Sequence, residues 1–207
     1  MLVIGLCGGS GTGKTTAQAF FEECGIPGCD ADVVYHSLID HSTHLTRALA
    51  AHFGADILLP DGALDRVALS RLVFSGDAAG SARLDELNRL THSAVLAECR
   101  LFLEAKRAEG AEAALINAPL LFESGFHREC DVTVAILAPH AARLGRLVAR
   151  DGLTTEAAER RIAAQMDDAT LMQKTDYQIH NDGDVAALRE KITALSHHLL
   201  QLRRNTP

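Results

Sequence analysis

No stretch of this chain reaches the ~18 consecutive apolar residues that a membrane-spanning helix needs, so none is expected. An excess of positive charge is missing too. The formal net charge is −7, which speaks against a general nucleic-acid binder, since such domains carry a basic surface. Local arginine clusters can still serve an anionic substrate. The five cysteines (Cys7, Cys24, Cys29, Cys99 and Cys130) are odd in number and lack C-x-x-C spacing, which fits reduced, mostly buried thiols better than a disulfide framework. No basic segment precedes the first apolar run at Leu2, so no signal peptide is read and a cytoplasmic location is expected. Internal repeats, low-complexity tracts and long linkers are absent. Ten histidines are present, with His36, His41 and His44 close together and His197-His198 adjacent. None joins an H-x-x-x-H pair with a nearby acidic ligand, so surface histidines are expected rather than a metal site. What remains is 207 residues, 47% hydrophobic and 23% charged, the makeup of one well-packed domain.

Against these absences stands Gly8-Gly9-Ser10-Gly11-Thr12-Gly13-Lys14-Thr15, directly after the apolar run Leu2-Val3-Ile4-Gly5-Leu6-Cys7. This is G-x-x-x-x-G-K-[ST] in the strand–loop–helix context that a phosphate-binding loop requires. Glycines let backbone N–H groups converge on phosphate oxygens, and the helix expected to open at Thr15 adds its positive end. Lys14 supplies a point charge for the outer phosphates, and the Thr15 hydroxyl is placed to ligate magnesium.

The remaining chain alternates short apolar strands with helices. A helix is read over residues 15–24, a strand over 26–29, a helix over 33–53, a turn at Leu59-Pro60-Asp61-Gly62 and a largely helical region to about Arg107. Strands follow at residues 113–117, 132–137 and 177–180, with helices over 141–149 and 155–166. A last helix carries Val185, Leu188, Ile192, Leu195, Leu199 and Leu202 as one apolar stripe. This alternation predicts an α/β fold with a parallel sheet covered on both faces. Ligands then bind at the carboxyl ends of the strands, at Gly8 onward, Asp30-Asp32, Asn117, Pro139-His140 and Asn181-Asp182.

On that rim, Asp30 and Asp32 can orient magnesium-bound water or act as a base toward an acceptor hydroxyl; Asp32 can equally cap the following helix. Arg143, Arg146 and Arg150 share one helical face. They read either as lid arginines that neutralise a migrating phosphoryl group or as a solvated basic face paired with Glu156 and Glu159. Asn117 stands where many P-loop proteins place a magnesium-orienting Asp, which leaves Thr15 and Asp32 as the stronger candidates around the ion.

With these residues in place the chain resembles the dephospho-coenzyme A kinase family from end to end. The resemblance is carried by the P-loop, Asp30-Ala31-Asp32, His52-Phe53-Gly54, residues 59–69 (L-P-D-G-A-L-D-R-V-A-L), Val73-Phe74 and Pro119-Leu120-Leu121-Phe122-Glu123. Residues 146–151 (R-L-V-A-R-D), 161–166 (R-I-A-A-Q-M) and 176–181 (D-Y-Q-I-H-N) complete it. Departures are Cys7 for threonine, His36 for arginine, Ser93 for the proline after His92, Asn117 for an acidic residue and His180 for Asp.

The resemblance implies a P-loop kinase fold with a five-stranded parallel sheet, in which 1–32, 106–138 and 176–207 form the nucleotide-binding core. Residues 33–105 would be a helical acceptor-binding insertion and 139–175 a helical lid. It also implies ATP-dependent phosphorylation of the ribose 3′-hydroxyl of dephospho-coenzyme A, the last step of coenzyme A synthesis. Gly9, Gly11, Thr12, Gly13, Lys14, Thr15 and Thr16 would then hold ATP, with Asn181 near the adenine and Mg2+ on Thr15 near Asp32. Arg146 would be the lid arginine, Asp32 the base, and His92 and Leu121 would join Asp32 on the acceptor.

Another small P-loop kinase, acting on a nucleoside or nucleotide, would share the loop and lid but not the D-A-D and P-L-L-F-E pair. A GTP switch is disfavoured, because no N-K-x-D is present and no D-x-x-G follows the third strand. A degenerate protein that holds nucleotide without turnover is opposed by Lys14, Asp32 and Arg146.

Overall fold

The computed structural model describes residues 1–40, 43–74 and 78–205. Its centre is a five-stranded, all-parallel sheet in the order β2-β3-β1-β4-β5. The strands are β1 (Leu2–Cys7), β2 (Gly28–Asp30), β3 (Ala113–Asn117), β4 (Val132–Leu137) and β5 (Tyr177–His180). All five residues of β3 are buried, which is why this strand reads as an unbroken apolar run rather than an alternation. The second strand lies later than expected. Ile26 is fully buried before it, and Asp30 is its last residue, paired in register with Asn117.

The chain divides into two compact units, residues 1–30 with 102–207, and residues 31–101. In the first unit, α1 (Lys14–Glu23) and α9 (Val185–Asn205) pack with the sheet to form the core, in which Phe20 and Phe21 meet Leu188, Ile192, Leu195 and Leu199. Each such buried side chain contributes about 1.5–3 kcal/mol relative to exposure. The expected stripe on α9 is shorter at both ends, because Val185 and Leu202 are exposed. The segment after β4 forms α6 (His140–Asp151), α7 (Thr155–Ala163) and α8 (Asp168–Lys174). Thr154 and Asp167 cap α7 and α8 by accepting from the backbone of Ala157 and Thr170, which separates the two helices.

The second unit begins with α2 (Ala31–Asp40) and α3 (His44–Phe53), not with the single helix read over 33–53. Thr43 is the reason. Its hydroxyl accepts from the N–H groups of Leu45 and Thr46 while Thr46 Oγ1 accepts from Thr43 N, a capping box that starts a new helix. A short 3-10 turn (Ala55–Ile57), the bridge between Leu58 and Leu64, and α4 (Arg66–Val73), capped by Asp65, follow. The 31-residue α5 (Ala78–Ala108) completes the helices. His41 of the histidine group lies outside the described residues.

Candidate active site

The loop after β1 takes its shape from glycines, three of them in the left-handed region where any other side chain would be strained. Gly8 (φ +140°) faces the Ile136 carbonyl of β4, where a Cβ would collide. Gly13 (φ +98°) is the N-cap of α1. Thr12, fully buried, donates its hydroxyl to the Gly9 carbonyl at 2.8 Å and so braces the turn from within. The helix therefore opens one residue earlier than expected, at Lys14. Lys14 Nζ donates to the Gly8 carbonyl at 2.7 Å and to the Gly9 carbonyl at 3.2 Å, which holds the ammonium against the loop. Thr15 and Thr16 are exposed in the first turn of α1.

The three arginines expected on one face of α6 separate in the structure. Arg143 is 5% exposed and pairs with Asp168 at 3.2 Å. Arg146 is half-buried and donates through Nη1 to the Gly11 carbonyl at 2.9 Å and the Thr12 carbonyl at 3.4 Å. No carboxylate among the described residues pairs with it. Arg150 is exposed and pairs with Asp151, whose carboxyl this hydrogen bond holds below its usual range. The alternative reading, a basic face paired with Glu156 and Glu159, is not what these arginines show: Arg150 pairs with Asp151, and Glu159 meets His140 at 3.0 Å.

Asn181, 7% exposed, donates its side-chain amide to the Thr12 carbonyl at 2.7 Å and lies against Gly13. Its observed partner is thus the phosphate loop. In the P-L-L-F-E segment, Leu121 is fully buried against Gly5 of β1, and Leu120 is the exposed leucine. His92 is exposed on α5 in the second unit. Asp32 is exposed and lies inside the first turn of α2, past the capping position.

At the carboxyl ends of β2 and β3, Asn117 (2% exposed) donates Nδ2 to Asp30 Oδ2 at 2.8 Å and to Gln18 Oε1 at 3.0 Å. Its Oδ1 is buried with no hydrogen-bond partner among the described residues. That orphaned oxygen, the Asp30 carboxylate and the Thr15 hydroxyl are hard oxygen donors, the type that magnesium takes, usually while keeping several waters. Among the described residues no group of three or more His, Cys, Asp or Glu side chains is arranged to hold a metal. Burial pushes the Cys7 thiol up to about 12, although Lys14 pulls it down, and burial likewise pushes the Cys130 thiol up to about 12.

Gln165 and Asp168, which contact this loop and Arg143, were not singled out by sequence reasoning. The R-I-A-A-Q segment was the only signal for Gln165, and Asp168, beyond that segment, had none. Gln18 was missed because a glutamine on an α1 face carries no pattern of its own.

An all-parallel sheet with a glycine-rich loop between its central strand and α1, bordered by an arginine from a helical segment after β4, defines a P-loop kinase of small molecules. A family model described as dephospho-CoA kinase matches residues 2–187. The dephospho-CoA kinase of Symbiobacterium thermophilum is 37% identical over 194 residues, covering 94% of this chain and 80% of that protein. Among solved structures, TT1252 from Thermus thermophilus matches with a TM-score of 0.76 at 30% identity, covering 96% of this chain and 97% of that one. Dephospho-CoA kinase from Campylobacter jejuni shares the fold with a TM-score of 0.69 at 23% identity, covering 96% of this chain and 97% of its own. The chain belongs to the dephospho-CoA kinase family.

Proposed function

We propose that this kinase transfers the γ-phosphoryl group of ATP to the ribose 3′-hydroxyl of dephospho-coenzyme A. The observation that carries the reading is Arg146, held on the Gly11 and Thr12 carbonyls with no carboxylate partner among the described residues, so that its remaining donors can meet an anion beside the loop. The loop amides and Lys14 hold the phosphates of ATP. Arg146 gains its charge partner as negative charge builds on the group in flight. Asp32 accepts the proton of the attacking hydroxyl, the ribose oxygen bonds to the γ-phosphorus, and the bond to the bridging oxygen of ADP breaks. Thr15 would hold Mg2+, with Asp32 nearby, and the Asp30 carboxylate and Asn117 amide oxygen are hard donors of the type the ion takes; when bound it would neutralise phosphate charge.

Residues 33–105 supply the acceptor pocket, with His92 on α5, and residues 139–175 act as the lid. Leu121 acts on the acceptor side as packing beneath its segment, and the exposed Leu120 takes the apolar contact. Asn181 lies near the adenine of ATP and pins the loop at Thr12. A cytoplasmic setting suits five cysteines of which none is in a disulfide.

The test is an ADP-release assay with ATP and magnesium over a panel of acceptors: dephospho-coenzyme A, adenosine and pantetheine. Selective turnover of dephospho-coenzyme A is expected. Brisk turnover of adenosine without turnover of dephospho-coenzyme A would overturn the reading in favour of a nucleoside kinase.

A further inference from the structure

Ser10, at the crest of the phosphate loop, is held through every polar group it has by side chains from the segment after β4. Its N–H donates to Gln165 Oε1 at 2.7 Å, and its hydroxyl accepts from Gln165 Nε2 at 2.9 Å. Its carbonyl accepts from Arg143 Nε at 3.0 Å. Arg143 also donates through Nη2 to Gln165 Oε1 at 3.3 Å and through Nη1 to Asp168 Oδ1 at 3.2 Å. The guanidinium thus fixes both the loop and the glutamine that grips it, while Asp168 neutralises a charge that would otherwise be buried alone.

The loop's own sequence is fitted to this grip. A Cβ at Gly9 would run into the Arg143 guanidinium, with Gln165 Oε1 next at 3.1 Å, and a Cβ at Gly11 would lie 2.7 Å from the Arg143 carbonyl. The α6 backbone therefore requires glycine at Gly11, and at Gly9 a side chain would have to displace the Arg143 guanidinium.

We propose that Arg143 and Gln165 are positioning residues for phosphoryl transfer. They set the conformation of the loop crest, and with it the direction of the loop amides, from the lid side. This rests on the kinase reading above. Ordinary loop hydrogen bonds are local and survive any change in distant helices, but here the crest has handed its N–H, C=O and hydroxyl to residues 133 to 155 positions away. Movement of α6 or of the α7–α8 junction must therefore be felt at Ser10. Amides a fraction of an ångström out of place still bind ATP through Lys14 and the remaining loop, yet they misplace the γ-phosphoryl group. The loss consequently falls on kcat rather than on ATP binding.

The test compares the parent enzyme with Gln165→Ala, Gln165→Glu, Arg143→Ala and the double variant Gln165→Ala/Arg143→Ala. Gln165→Ala should lower kcat with dephospho-coenzyme A by up to ~10²-fold while the KM for ATP stays within about threefold. Gln165→Glu keeps an oxygen for the Ser10 N–H and for Arg143 and lets the Ser10 hydroxyl donate, so it should recover most of the lost kcat. In the double variant the two losses should not multiply, because the residues act as one unit. Independently of any acceptor, amide hydrogen exchange at residues 8–13 of the nucleotide-free protein should be faster in Gln165→Ala than in the parent. Unchanged exchange there, or kcat losses that multiply, or a raised KM for ATP at parental kcat, overturns the proposal. Failure of the parent itself to turn over dephospho-coenzyme A refutes the kinase reading instead, and the exchange measurement still decides the grip on Ser10.

Discussion

Asn117→Asp puts a carboxylate at the end of β3, and the structure says it should be harmful. Asn117 donates both hydrogens of one amide nitrogen, to Asp30 and to Gln18, from a site 2% exposed. A carboxylate has no hydrogen to give, so three acceptors would face one another. Two unit charges ~3 Å apart repel by roughly 5 kcal/mol at an effective dielectric of ~20. The protein escapes this by keeping one proton on the pair, which near pH 7.5 costs at most about 5 kcal/mol for a group whose unfolded pKa is about 4. The Gln18 acceptor, left without its donor, adds a further cost of about 1–3 kcal/mol.

A net loss of about 3–5 kcal/mol corresponds to a fall in Tm of roughly 6–20 °C for a chain of this size. The sign with pH follows from the raised folded-state pKa of the carboxyl pair. Stability is present below the unfolded carboxylate pKa and is lost as pH rises toward the folded one, so the Tm deficit should be wide near pH 7.5 and narrow near pH ~4.5. Differential scanning fluorimetry in chelator across that range measures it. A variant that melts within about 2 °C of the parent at every pH, or whose deficit widens on acidification, would refute the reasoning.

Asp32→Asn should lower kcat by ~10²–10⁴-fold while calorimetry shows ATP binding near that of the parent; parental kcat would reduce the carboxylate to a helix-end charge. Arg146→Ala should lower kcat by ~10²–10³-fold with little change in the KM for ATP, and a purely KM effect would mean that the arginine only holds the ground state. Cys7 and Cys130, with thiols raised by burial to about 12, should resist iodoacetamide near pH 8 in the folded protein and react after denaturation. Prompt labelling of Cys7 in the native state would contradict the burial.

Most of the sheet was legible because β1, β3 and β4 are apolar runs, and its rim because the strand ends carry or precede polar or turn-forming residues: Gly8, Asp30, Asn117, Pro139 and Asn181. The loop was legible because Gly8, Gly13, Lys14 and Thr15 occupy positions fixed by backbone geometry. The break between α2 and α3 was not, since Thr43 acts through a hydroxyl exchange with Thr46 that looks like any threonine within a helical pattern. The exact place of β2 was not legible either: Ile26 is apolar enough for a strand but is buried in the approach to one. In the site, helical spacing put Arg143, Arg146 and Arg150 on one face, but spacing is blind to depth. Gln165 stayed invisible because a glutamine signals nothing until its partner, here a loop serine 155 residues earlier, is in view.

The difference in depth between two arginines one turn apart separates their roles. A guanidinium as buried as that of Arg143 cannot persist without a counter-charge, because desolvation would exceed what backbone carbonyls return, and Asp168 provides one. Its charge is already answered in the resting protein, so it has little to offer a transition state. Arg146 is half-buried and held by two carbonyls, enough to orient the fork but not to neutralise it. An interaction accelerates a reaction only if it strengthens on the way to the transition state, and that requires a charge left unanswered beforehand. By that criterion α6 carries one arginine that shapes the loop and one that serves the chemistry. Exchanging their environments, by removing Asp168 or by giving Arg146 a carboxylate neighbour, should harm the enzyme in different ways: the first through the loop's conformation, the second through kcat alone.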